Sequence, residues 1–72
     1  MTLEADVRAL VAEHAVAPVA DSTSLELDSL TLVTIVEALE DRFGIRVLAR
    51  DVVPTNFATI DAIAAFVRAR RA

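Results

Sequence analysis

The sequence predicts an all-α fold, a small bundle of three main helices with a short third helix before the last, and three observations point that way. Apolar residues make up 56% of the chain, drawn mostly from Ala, Val, Leu and Ile, with one Gly and two Pro. That composition favours helices over loop-rich or disordered structure. The apolar residues recur at helical spacing in separate stretches near both ends and in the middle. At 72 residues the chain is also too short for a second domain or a deep catalytic cleft, so residues 1–72 are read as one domain around one core.

Taken in order, Leu3, Val7, Leu10 and Val11 define the first helix, over residues 3 to 14, with Thr2 as its cap and Glu4 and Asp6 in the first turn where the helix dipole suits acids. His14 lies near its end as a solvated side chain and is given no role. From Ala15 to Asp28 the period is lost: Pro18 interrupts any helix and Asp21-Ser22-Thr23-Ser24 is a turn-rich cluster. Val16, Val19, Leu25 and Leu27 suggest that this long first loop lies over the bundle, because a free linker has little use for them.

The second helix is predicted to start at Asp28 or Ser29 and to run to about Arg42, with Gly44 ending it in a left-handed conformation. At about 100° per residue, Leu32, Ile35, Val36, Leu39 and Phe43 share the core face, while Thr31, Thr34, Glu37, Ala38 and Asp41 occupy the other. Leu30 falls on the mostly polar side. It is either an exposed apolar contact for a partner or a residue packed under the preceding loop, and the sequence leaves both open.

Ile45, Val47 and Leu48 have no strand to pair with and are read as an extended connection. Ala49 to Val53 is read as one helical turn before Pro54. Thr59 caps the last helix, over Ile60 to Arg70, with Asp61 in the first turn, arginines near the end and Ile60, Ile63, Phe66 and Val67 as its buried stripe. Phe57, just before the cap, pins the loop to the core much as a hydrophobic staple does.

Several function classes are disfavoured by composition. A formal net charge of −4 argues against binding a phosphate backbone, and the terminal arginines read as a solvated, dipole-complementing end rather than a nucleic-acid patch. Without cysteine there is no disulfide, no thiolate metal site and no thiol of the chain's own; with one histidine, His14, a multi-histidine metal site is excluded. Hydrolase chemistry at Ser29 would require His14 to meet it, together with an oxyanion site the chain scarcely has residues to build. The start, Met1 to Asp6, resembles no signal peptide, and no run approaches bilayer length. The expectation is a soluble, cytoplasmic monomer with protein partners, no catalytic residues and no metal.

The stretch from Leu25 to Val47, LELDSLTLVTIVEALEDRFGIRV, carries the most specific signal. Ser29 follows a good capping acid, Asp28, at the head of the longest amphipathic segment, where an N-terminal dipole favours a phosphate. A lone Asp-Ser pair is commonly only a cap; here it is framed by Leu25, Leu27 and Leu30 and followed by Val33, Val36, Leu39, Glu40, Phe43, Gly44 and Ile45 at set intervals.

This string closely resembles the modification-site region of acyl carrier proteins, where the serine of a DSL motif carries a 4′-phosphopantetheine arm. The later segment PTNFATIDAIAAFV resembles the closing region of free-standing carriers in natural-product pathways. The resemblance implies a four-helix bundle of acyl-carrier type and Ser29 as the attachment residue, with Asp28 beside it. It further implies Leu30, Thr34, Glu37 and Asp41 as partner contacts. A phosphopantetheinyl transferase, an acyl- or aminoacyl-loading enzyme and a downstream transferase or synthase are the partners it implies. It also explains how a chain without cysteine takes part in thioester chemistry, because the thiol arrives with the prosthetic group.

Two departures matter. Glu26 stands where many relatives have glycine, so the backbone there is not expected to need positive φ. Thr31 and Thr34 replace two acids common along the second helix of fatty-acid-synthesis carriers, leaving Glu37, Glu40 and Asp41 with Arg42 beside them. Charge steering should be weaker and apolar and hydroxyl contacts more important, which favours a polyketide, aminoacyl or related pathway carrier. The competing reading is an unmodified helical interaction module that docks through the second helix. An apolar cargo would either lodge among Leu32, Val36, Leu39, Ile63 and Phe66 or stay in solvent, and the sequence does not choose.

Overall fold

The computed structural model describes residues 2–16 and 20–71. Its elements in chain order are α1 (Leu3–His14), α2 (Ser29–Phe43), a 3-10 turn (Ala49–Asp51), α3 (Pro54–Phe57) and α4 (Ile60–Arg71), and no strand occurs among the described residues. The all-α expectation holds.

Each long helix starts where a hydroxyl or carboxylate can receive a first-turn N–H. Thr2 Oγ1 accepts from Ala5 N at 3.1 Å, Asp28 Oδ1 from Thr31 N at 2.7 Å and Thr59 Oγ1 from Ala62 N at 3.0 Å, relieving orphan donors that would otherwise destabilise the ends. α2 stops at Gly44, whose φ is 64° and whose N–H donates to Glu40 O at 3.0 Å. A Cβ built there meets nothing within 4 Å, so only the backbone conformation penalises a side chain. Gly44→Ala should therefore cost about 1 kcal/mol, read as a lower denaturant midpoint with an unchanged slope. Every described non-glycine residue has negative φ, Glu26 among them.

The core is closed by Val7, Leu10 and Val11 of α1, Ile35 and Leu39 of α2 and Ile60, Ile63 and Val67 of α4, all fully buried, with Phe57 and Phe66 nearly so. Leu32, Val36 and Phe43, assigned to the core face, are partly buried against it. Ala38 is too, although the helical projection put it on the outer face; a small side chain near the edge of the stripe is covered by its larger neighbours.

The long first loop is strapped down. Leu25 N donates to Ala58 O at 2.6 Å, Asp61 N donates to Asp21 O at 3.0 Å, and the Asp21 carboxylate receives Arg8 Nε at 2.7 Å. Leu25 and Leu27 pack on the core as expected, but Val16 does not: it is 92% exposed, because it leaves the bundle just beyond the end of α1. Pro18 and Val19 lie outside the described residues.

The region before α4 differs from the expectation of one turn ahead of Pro54. A 3-10 turn occupies Ala49–Asp51, and a separate α-helical turn starts on Pro54 itself. The physical reason is that proline suits the first helical position, where its missing N–H leaves nothing unpaired. It also drives the preceding residue out of the helical region: Val53 is extended, at φ −130° and ψ 154°.

Candidate functional site

Ser29 is the first residue of α2, and Asp28, Ser29 and Leu30 are all exposed. Asp28 is held on both sides: its carboxylate accepts Thr31 N, and its carbonyl accepts Leu32 N at 2.9 Å. The Thr31 backbone N–H, followed by the Thr31 side chain, holds the Asp28 carboxyl below the ordinary aspartate range, so it is a fixed anion at the helix start. Among the described residues no hydrogen bond engages the Ser29 hydroxyl, which leaves it presented to solvent on a rigid turn.

Fixing Asp28 in this way refines the expectation that the start of α2 favours a phosphate on Ser29. The cap already occupies the third N–H of the helix, and the backbone at Leu30 also contributes to holding the Asp28 carboxylate. A phosphodiester on Ser29 fits as an outward-facing group sharing the favourable end of the dipole with Asp28, without taking over the cap.

The structure keeps His14 away from this site. Glu13 beside it pairs with Arg42 at 3.1 Å, and Arg42 lies thirteen residues along α2 from Ser29, roughly 20 Å at 1.5 Å per residue. With no imidazole at hand, Ser29 is suited to being modified by another enzyme rather than to attacking a substrate unaided.

Leu30 is 76% exposed, which rules out its packing under the preceding loop. Val33 is exposed as well and belongs to the same surface stripe, since positions 30, 33, 34, 37 and 41 follow one another at helical spacing. In the sequence Val33 stands out only as part of the interval pattern; its place three residues after Leu30 is the signal for its exposure. Thr34 Oγ1 donates to Leu30 O at 3.0 Å, so its hydroxyl proton is directed into the helix. Glu37 and Asp41 are exposed. Glu40 is not available for steering: its carboxylate accepts Val47 N at 2.8 Å and fixes the exit from α2.

On another side of the α2 start a cleft of about 310 Å³ is lined by Leu25, Leu27, Leu32, Val53, Pro54 and Phe57 among others, at the low end of the roughly 300–1,000 Å³ typical of small-molecule sites. Leu32 is one turn after Ser29, so the two share a helix face. This apolar space lies between the first loop and α3, and Leu32 brings it to within one helical turn of Ser29. Of the positions considered from sequence for lodging a cargo, Leu39 and Ile63 are sealed.

A four-helix bundle that offers an exposed serine at the head of its second helix, with no imidazole beside it among the described residues, suits a protein that carries a group attached by others. Comparison with known families agrees: residues 5–67 match the model of the phosphopantetheine attachment site. The chain belongs to that family, whose covalent cofactor is 4′-phosphopantetheine, and its fold is that of the acyl carrier proteins. No curated protein and no solved structure gives a match. No helix among the described residues is long and apolar enough to cross a membrane.

Proposed function

We propose that Ser29 is the residue that carries the 4′-phosphopantetheine arm and that this chain acts as a carrier for acyl or aminoacyl groups in a polyketide or related pathway. The observation that carries the reading is the exposed Ser29 hydroxyl on the first residue of α2, held beside a fixed Asp28. When attached, the arm supplies the thiol that takes the cargo as a thioester. The chain supplies the anchor, the anion next to it and the surface that partners grip; catalysis belongs to the phosphopantetheinyl transferase, the loading enzyme and the downstream transferase or synthase. The working form is a monomer in the cytoplasm.

Leu30, Thr34, Glu37 and Asp41 form the partner face in this reading. An apolar anchor at 76% exposure, flanked by only two free acids, supports docking by contact more than by charge steering. Leu30→Ala should leave folding stability within about 0.5 kcal/mol and slow modification by a transferase on the order of tenfold. A normal rate would remove Leu30 from the interface. The test of the whole reading is intact-mass measurement after incubation with coenzyme A and a promiscuous transferase. A mass gain located at Ser29 supports it; an unchanged mass with several such enzymes favours an unmodified docking module.

A further inference from the structure

One wall of the cleft beside Ser29 cannot stand by itself. Val52, Val53, Pro54 and Phe57 sit on the exit of a three-residue 3-10 turn and on a four-residue helix, and helical segments that short do not persist in isolation. Two ties hold them to α4. The first is apolar: the Phe57 ring lies 5.5 Å from Phe66, tilted by 51°. The second is polar and centred on Asp51, which is only 9% exposed. Its carboxylate accepts Leu48 N at 2.9 Å and pairs with the Arg70 guanidinium, while its carbonyl accepts Asn56 Nδ2 at 2.8 Å and Val53 N at 3.0 Å. Asp51 thereby grips the chain on both sides of the turn. Arg70 also lies 5.4 Å over the Phe66 ring, so both ties converge on one aromatic side chain. The other three ion pairs among the described residues, Arg8–Asp21, Arg42–Glu13 and Arg68–Glu4, each involve α1, whereas Asp51 directly precedes the wall residues Val52 and Val53.

We propose that Asp51 and Arg70 are positioning residues for the cleft: their ion pair latches the 52–57 wall to α4 and sets whether the space beside Ser29 is a shaped receptacle for an apolar acyl group or an open groove. What fills the cleft rests on the reading of Ser29 as the attachment residue; the latch itself is a property of the unmodified chain. Losing the Arg70 charge would leave a largely buried carboxylate with the Leu48 N–H and the weaker influence of the Arg50 charge, and the turn would be released more often.

Amide hydrogen exchange on the full unmodified chain tests this. Arg70→Gln and Asp51→Asn should each lower protection of the 49–58 amides by roughly tenfold or more, with smaller losses in α1 and α2, and Arg70→Lys should restore part of it. Arg68→Gln, which breaks an α4 ion pair that does not touch the wall, should leave the 49–58 amides level with the rest. Uniform loss across all helices, or equal loosening of 49–58 by Arg68→Gln, would make the pair a general stabiliser and overturn the proposal.

A second measurement compares acetyl and hexanoyl groups loaded at Ser29. The hexanoyl form should protect the 52–58 amides beyond the acetyl form in the wild type and not in Arg70→Gln; equal gains in both overturn the positioning role. Failure of any group to attach at Ser29 overturns the earlier functional reading and leaves the first measurement as the judge of the latch.

Discussion

Ser29→Ala is expected to abolish the mass gain produced by coenzyme A and a phosphopantetheinyl transferase, and to do so without unfolding the chain. The loss should be complete, because the substitution removes the only oxygen to which the side chain could bond a phosphate, and a methyl group cannot substitute for it. Folding should be nearly unaffected. Helix α2 is capped by Asp28, not by Ser29, and Ser29 is exposed, so the change belongs to the class that moves stability by about 0.5 kcal/mol or less. For a domain of this size that is roughly 2–4 °C in melting temperature. The pair of measurements separates attachment from structure: residual modification of the alanine variant would place the arm on another hydroxyl, and a large drop in melting temperature would show that Ser29 supports the helix start.

The second large effect concerns the scaffold. Leu39→Ala should destabilise the fold by about 2–5 kcal/mol. Leu39 is fully buried at the centre of α2 and packed in a cluster that draws on α1, α2, α4 and Phe57, so its removal leaves a cavity that three helices must collapse to fill. A chain of 72 residues has a total stability of roughly 4–11 kcal/mol at 0.05–0.15 kcal/mol per residue. The variant should therefore melt roughly 8–40 °C lower, the upper part of that range leaving it substantially unfolded at room temperature. Urea unfolding followed by circular dichroism measures this, and a cost under about 1 kcal/mol would contradict the core described for α2. Because a transferase acts on a folded surface, modification of Ser29 in this variant should fall with the folded fraction, unlike the clean block made by alanine at position 29.

Much of this molecule is legible in its amino-acid sequence. Thr2, Asp28 and Thr59 as caps, Gly44 as a left-handed stop and the bounds of the three long helices follow from local chemistry that acts over a few residues, and the structure bears them out. The turn expected over Ala49 to Val53 is present as the 3-10 turn at Ala49–Asp51, but the separate turn from Pro54 is not announced, because Pro54 has two opposed local effects, excluding helix before it and favouring helix from it onward. The Phe57 ring packs on Phe66, a contact that no local rule announces. Glu40 was grouped with the exposed acids because its helical position is right for that. Its diversion to Val47 N depends on the path of the chain after Gly44, which periodicity does not encode. The same holds for Asp51 and Arg70, nineteen residues apart, whose meeting no spacing rule announces. At the site itself, the DSL motif pointed to Ser29 and the structure supplied its exposure. The exposure of Leu30 required knowing where the first loop runs.

The way that loop is fastened has a consequence for biosynthesis. Leu25 is hydrogen-bonded to Ala58, and Asp21 to Asp61, so the segment leading into Ser29 is secured by residues translated well after it. On the ribosome a nascent chain ending before Ala58 would possess the serine and the start of its helix but neither the fastened loop nor the cleft beside it. An enzyme that recognises the finished surroundings of Ser29, and not the motif alone, would distinguish complete molecules from fragments at no added cost in sequence.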